Sequence, residues 1–217
     1  LIKGSDEIVK ILVTSFEPFG KENINPSSEI LKSIGDRLAD AEIIKIQLPT
    51  VFHLSIDKTT EKIREINPDA ILSIGQAAMR YDIGVERIAI NIDDAKISDT
   101  AGQQPIDIPV DPQGPIAYFA TIPVKKIVEE IRKEKIPASV SNTAGTYVCN
   151  HLMYGILNYI HKNGLSTKAG FIHVPYLSEQ VLDKPHTPFM SLEDMTKAIS
   201  IALRVISIDL AKTSTND

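Results

Sequence analysis

"ASVSNTAGTYVCNHLMYGILNYI", residues 138–160, is the stretch on which the fold turns. Ala138–Ser141 has the composition of a short buried strand. A turn of small residues follows. Cys149, Leu152, Met153, Ile156 and Ile160 then recur at three- and four-residue intervals, the spacing of one helical face. A strand running straight into an amphipathic helix is the repeating unit of α/β folds.

The same alternation extends outward along the chain. Residues 9–14, 43–48, 70–74, 85–92 and 170–174 are short runs rich in Val and Ile and read as strands covered on both faces. Asn25-Pro26 suits an N-cap followed by Pro at the first helical position, with Ile30, Leu31, Ile34 and Leu38 on one face. Phe52, Ile56, Ile63 and Ile66 form a second stripe, ended by Asn67-Pro68, and Val124, Ile127, Val128 and Ile131 a third. A last stripe runs over 192–210, opened by Ser191. The pattern predicts a single-domain α/β three-layer sandwich spanning 1–217, with a mixed, mostly parallel sheet and helices on both faces. Residues 1–7 read as a loose N-terminal extension. Residues 93–123, which hold five of the thirteen prolines, and residues 174–190 lack clean periodicity. Each reads either as a lid or contact surface or as a plain surface connection.

Composition narrows the function classes. The formal net charge of −5 and the lack of a basic, aromatic patch argue against nucleic acid as a partner. The apolar run at 11–13 is too short for a signal-peptide core or a membrane span, so no membrane partner is expected. One cysteine makes no intramolecular disulfide and no Cys-x-x-Cys metal cluster, which suits a cytoplasmic location and leaves no metal site expected.

That one cysteine has two readings. On its apolar stripe Cys149 is a small buried hydrophobe. In the first turn of its helix it is a candidate nucleophile, because the helix N-terminus favours thiolate and its free N–H groups can hold an oxyanion. Ala144 and Gly145 before the helix would let a ligand approach the backbone closely. A nucleophilic thiol needs a base. Of the five histidines, His173 in "AGFIHVPY" ends an apolar strand, where α/β folds bind ligands; a core histidine satisfied by a carbonyl is the alternative. His151 faces another side of the Cys149 helix, and His53, His161 and His186 fall at helix ends or in a loop. Glu86 sits inside an apolar strand and needs a partner, which its neighbour Arg87, on the opposite face, cannot be. It is either a buried ion pair to another element or a group that orients a histidine.

Four blocks, "ILVTSFEPFG…NINPS", "GQAAMRYDIGVERIAINIDDAKISD", "SNTAGTYVCNHLMY" and "GFIHVPYLSEQ", occur in order and together resemble the pyroglutamyl peptidase I (pyrrolidone-carboxylate peptidase) family of cysteine peptidases. The resemblance runs over about residues 8–210. It implies an omega peptidase that removes N-terminal pyroglutamyl residues from peptides, uses no cofactor, works in the cytoplasm and self-associates. It maps the family's catalytic residues onto Glu86, Cys149 and His173. It also maps substrate-binding positions onto Phe16, Phe19, Asn25 and Gln76, and more weakly onto Lys96, Ile97, Tyr147 and Val148. Each has a plainer reading: Phe16 and Phe19 as core, Asn25 as an N-cap, Gln76 as a loop amide.

The chain departs from the family pattern at a few positions. Ser15 and Lys21 replace the outer glycines of the usual "TGFEPFGG", and Ser15 would be strained if that position needs positive φ. Lys96 replaces the usual Arg and loses its bidentate fork. "SDT" stands for the commoner "PDN", and Ala78 and Met79 stand where small residues, often Gly, are usual. These departures motivate an alternative: a catalytically weakened homologue that binds pyroglutamyl or lactam ligands. A nucleoside phosphorylase, suggested by architecture alone, lacks support from any phosphate-binding glycine loop.

Overall fold

A computed structural model describes residues 8–214 except Lys21 and Ala39, so the expected N-terminal extension and the Lys21 departure lie outside the described residues. Nine strands are described: β1 (Val9–Phe16), β2 (Arg37–Leu38), β3 (Ala41–Leu48), β4 (Ala70–Gln76), β5 (Ile83–Glu86), β6 (Ile88–Ile90), β7 (Ala117–Phe119), β8 (Ala138–Ser141) and β9 (Lys168–Val174). The five helices are α1 (Pro26–Ser33), α2 (Leu54–Ile66), α3 (Val124–Lys133), α4 (Val148–Lys162) and α5 (Leu192–Ser214).

Seven strands form one sheet in the order β2-β3-β1-β4-β9-β5-β8. The run β3-β1-β4-β9 is parallel, as is β5-β8. Two reversals make the sheet mixed: β2 runs antiparallel to β3 at one edge, and β5 runs antiparallel to β9 near the centre. One face packs α1, α3 and α5 through Ile30, Ile127, Ile131, Met195 and Ile199. The other packs α2 and α4 through Ile63, Leu152, Met153 and Ile156. Covered on both sides, the central strands have no polar face to show to water. That is why β4 reads almost wholly apolar. The three-layer α/β architecture is thus the one expected.

Local signals behave as the chemistry predicts. Asn25 caps α1, its Oδ1 accepting from the Ser27 N–H at 3.0 Å, with Pro26 next. Asn67 ends α2 in the left-handed conformation. The Ser191 hydroxyl accepts from the Asp194 N–H at 3.0 Å before α5.

Two expectations need correcting. Leu38 does not share the α1 face, because the helix stops at Ser33 and Leu38 lies in β2. Residues 85–92 do not form one strand. The chain leaves the main sheet at Arg87, whose N–H donates to Ser141 and whose carbonyl accepts from Ala120, and β6 then pairs with β7 in a separate ribbon. An unbroken apolar run hides this break, because both halves are half-buried or buried. The two aperiodic stretches are both anchored. In 93–123 the buried Asp99 carboxylate accepts from the N–H groups of Phe52, Ala101 and Gln103, at 2.9, 2.9 and 2.8 Å. Residues 174–190 hold a short 3-10 turn (Ser178–Val181) and a bridge between Tyr176 and Phe189.

Candidate active site

The reversal between β9 and β5 builds the site. In the antiparallel pair Gly84 lies opposite His173, and Glu86 opposite Phe171. Residues opposite one another, and residues two apart on a strand, share a face. Glu86 and His173 are therefore diagonal neighbours on one face of the sheet. The His173 Nδ1 lies 2.7 Å from the Glu86 Oε1. The Arg80 guanidinium donates to the same oxygen at 3.1 Å and to the Ser141 hydroxyl at 2.9 Å. A carboxylate held by Arg can only accept, so the His173 proton sits on Nδ1. Nε2 is left as the nitrogen that can take up a proton.

His173 also has glycines on both flanks, Gly84 in β5 and Gly75 in β4. Neither space is empty. Arg80 fills the space a Gly84 side chain would take. A Cβ on Gly75 would lie 3.0 Å from the Cys149 Sγ and 2.8 Å from the Phe171 ring. The missing side chains thus admit an ion-pair partner on one side and the thiol on the other.

Cys149 is the second residue of α4 and packs against the apolar core on that face. Tyr147, at the N-cap, makes no side-chain cap, so the first-turn N–H groups are open to a ligand. Gly145 supplies the positive φ of 78° in the turn before it. The helix start favours thiolate, but here it is outweighed. Burial and then the nearby Glu86 charge push the thiol up to about 12. The thiol therefore needs a base, and the His173 imidazole is the candidate.

Both groups open onto one cavity of ≈ 350 Å³. Of the expected binding residues, Phe16, Phe19, Asn25, Gln76 and Tyr147 line it, together with Thr50, Arg80, Thr143 and Ala144. The Phe19 and Tyr147 rings lie 6.4 Å apart, and Phe52 meets Tyr147 edge-on at 5.5 Å. Burial, with lesser contributions from Asp99 and Cys149, pushes the Tyr147 phenol up to about 12, and its hydroxyl donates to the Ser98 carbonyl at 3.1 Å. Asn25 is both N-cap and cavity wall.

Three expected residues do not line the cavity. Lys96 and Ile97 are exposed, because the inward anchors of their segment are Ala95 and Asp99 on either side. Val148 is fully buried, its side chain in the core beneath α4. Ser15 carries no strain, since it lies within β1 and outside the positive-φ residues. Among the described departures, Met79, at φ 65°, adopts the positive-φ conformation instead. Arg80 escaped the sequence reading. An Arg six residues before a buried Glu was its only signal, and the β4–β5 connection that folds it back onto β5 cannot be read from spacing. His151 plays another part: its Nδ1 meets Asp93 at 2.7 Å and its Nε2 accepts the His53 N–H, which fixes the start of α2.

The pyroglutamyl peptidase family model matches residues 9–209. This chain belongs to the pyroglutamyl peptidase family. Among its relatives, pyrrolidone-carboxylate peptidase 1 of Caldanaerobacter subterraneus subsp. tengcongensis is 70% identical over 198 residues, covering 91% of this chain and 98% of the relative. The Thermoanaerobacter sp. pyrrolidone-carboxylate peptidase is 71% identical, covering 92% and 98%. Among solved structures, Bacillus amyloliquefaciens pyroglutamyl peptidase I superposes with a TM-score of 0.89 at 44% identity, covering 92% of this chain and 97% of that one. The Thermococcus litoralis pyrrolidone carboxyl peptidase gives 0.92 at 39% identity, covering 94% and 96%. Family membership and the mixed α/β sandwich thus agree.

Proposed function

We propose that this chain is a single peptidase domain that hydrolyses N-terminal pyroglutamyl residues from peptides through a thioester acyl-enzyme. The observation that carries the reading is one cavity lined by both Cys149 and a histidine whose Nδ1 is held by the buried Glu86. As the thiol attacks the pyroglutamyl carbonyl, Nε2 of His173 takes its proton. Burial raises the thiol's pKa, so forming the nucleophile depends on this base. The carbonyl electron pair moves onto oxygen, where the open N–H groups of the first turn of α4 can hold it. Collapse breaks the C–N bond, and His173 returns the proton to the leaving amine. Water, activated by the same imidazole, then hydrolyses the thioester. Glu86 orients the ring and stabilises the imidazolium.

Specificity follows from what lines the cavity. No Asp or Glu is among the described residues that line it, so a free terminal ammonium would find no counter-charge there. A neutral lactam needs none. Its apolar faces suit Phe16, Phe19 and Tyr147, and its polar edge suits the amides of Asn25 and Gln76. The relaxed backbone at Ser15 gives no support to the weakened-homologue alternative.

A reporter assay tests the proposal. Wild type should release the fluorophore from a pyroglutamyl-coumarin amide. Cys149→Ala, at unchanged fold by circular dichroism, should not. Appreciable turnover by Cys149→Ala would remove Cys149 as the nucleophile. The reading also includes a cytoplasmic setting, which suits a working thiol, and self-association. Exposed apolar residues on 93–123, such as Ile116 and Phe119 at 88% and 67% exposure, support the latter, and sedimentation measures it.

A further inference from the structure

We infer that Gln180 is a positioning residue that sets the polarity of the cavity by holding the Gln76 amide in one of its two orientations. The inference rests on the peptidase reading above and names the part of the substrate that this edge recognises.

The reasoning starts outside the cavity, from groups whose hydrogen-bonding sense is not open to choice. The Leu177 backbone N–H can only donate, and it does so to the Gln180 Oε1 at 3.0 Å. That pins the oxygen of Gln180 on one side. Its Nε2 on the other side faces three acceptors: the Glu22 carboxylate at 3.1 Å, the Ile24 carbonyl at 3.3 Å and the Gln76 Oε1 at 2.9 Å. A carboxylate and a carbonyl cannot donate, so these partners give the same orientation as Leu177 does. Gln180 is 7% exposed, and Lys184 holds Glu22 in place at 2.8 Å. With Gln180 pinned as a donor, the Gln76 amide must present its oxygen to it. The Gln76 NH₂ is then the end left for a ligand in the cavity that Gln76 lines.

Asn25 is biased the same way. Its Oδ1 accepts from both the N–H and the hydroxyl of Ser27, at 3.0 and 2.8 Å, and one Nδ2 proton goes to the Glu17 carbonyl. Only an N–H is left to offer. The two amides of the cavity therefore act as donors, and they fit a ring carbonyl, the acceptor that distinguishes a pyroglutamyl from a prolyl ring. Residues 174–190, which the sequence left as either lid or connection, carry this clamp. Gln180 lies 104 positions from the residue it orients.

Gln180→Glu, made in a Glu22→Gln background so that no second carboxylate faces the new one, tests the inference. A carboxylate at this position still accepts from Leu177 but can no longer donate to Gln76. The Gln76 amide then turns its NH₂ toward the new carboxylate and its oxygen toward the ligand, which faces the substrate carbonyl with an acceptor. KM for the pyroglutamyl reporter should rise about tenfold or more over that background, with kcat within threefold of it. In a Gln76→Ala background the same change should move KM less than twofold, because its route runs through Gln76. If Gln180→Glu fails to fold, Gln180→Met, which frees the clamp without adding charge, should raise KM several-fold and show the same dependence on Gln76. A folded variant with KM within twofold of its parent overturns the inference, and so does a KM increase that persists without Gln76. An inactive wild type would overturn the peptidase reading itself and the inference with it, whereas an active wild type beside an unaffected variant overturns the inference alone.

Discussion

Gly75→Ala is the sharpest test of how the site is packed. A Cβ at this position in β4 would stand 2.8 and 3.0 Å from two atoms of the Phe171 ring and 3.0 Å from the Cys149 Sγ. Ordinary carbon contacts lie near 3.5–4.0 Å, so each neighbour must withdraw by several tenths of an ångström. Phe171 is fully buried against Phe16 and His173 and has little room to give. Overpacking of this kind costs roughly 1–3 kcal/mol, which in a protein of this size lowers Tm by about 2–4 °C per kcal/mol. The catalytic cost should be larger than the stability cost. Displacing a nucleophile by ~1 Å costs about a hundredfold, so smaller movements of Sγ and His173 should lower kcat/KM by about ten- to a hundredfold. Reporter kinetics and thermal melts on the same preparation measure both quantities. Gly170→Ala is the control, since its added Cβ would press on Ile122 in the opposite core while leaving Cys149 untouched. It should melt earlier and keep kcat/KM near wild type. Wild-type kcat/KM in Gly75→Ala would refute the close seating of the thiol. Equal losses of activity in the two variants would mean that general loosening, not the position of Sγ, controls the rate.

Other outcomes follow from the same geometry. Arg80→Ala removes the guanidinium that holds the Glu86 Oε1 and fills the space beside Gly84, so kcat/KM should fall about ten- to a hundredfold, and added guanidinium should partly restore it. Unchanged kcat/KM would leave Arg80 no part in holding the pair. The thiol titrates near 12 when folded and near its ordinary 9 when unfolded, so it contributes stability below pH 9 that is lost as pH rises toward 12. Over that window wild type should lose more stability in urea melts than Cys149→Ala, with no such divergence between pH 6 and 8. Met79→Gly relieves a left-handed residue and should raise stability by about 0.5–1 kcal/mol in the same melts.

How much of this was legible in the chain can be judged residue by residue. The helices on both faces announced themselves because a 3.6-residue stripe is a local property, as are the Asn25-Pro26 start and the Asn67-Pro68 stop. The strands were legible because burial on both faces leaves a continuous apolar run. The break at Arg87 was not, because its cause lies in other elements: Ser141 and Ala120 capture its backbone, and β7 offers β6 a different partner. Glu86 and His173 drew attention as polar groups in apolar strands, but their contact depends on β5 running antiparallel to β9, and nothing local encodes strand direction.

The sequence alone therefore determined the layer architecture, the family through its four ordered blocks, and the candidate triad as residue types. Tertiary structure decided how those residues work. It raised the thiol's pKa, because desolvation by the surrounding core and the Glu86 charge outweigh the helix start. It brought Arg80 and Gln180 to the site, since each acts across a fold-back that spacing cannot show. It also turned Lys96, Ile97 and Val148 away from the cavity, because which way a residue faces depends on what its neighbours anchor. Periodicity and capping are written over a few residues; pKa, amide orientation and cavity lining are sums over everything that packs against a group.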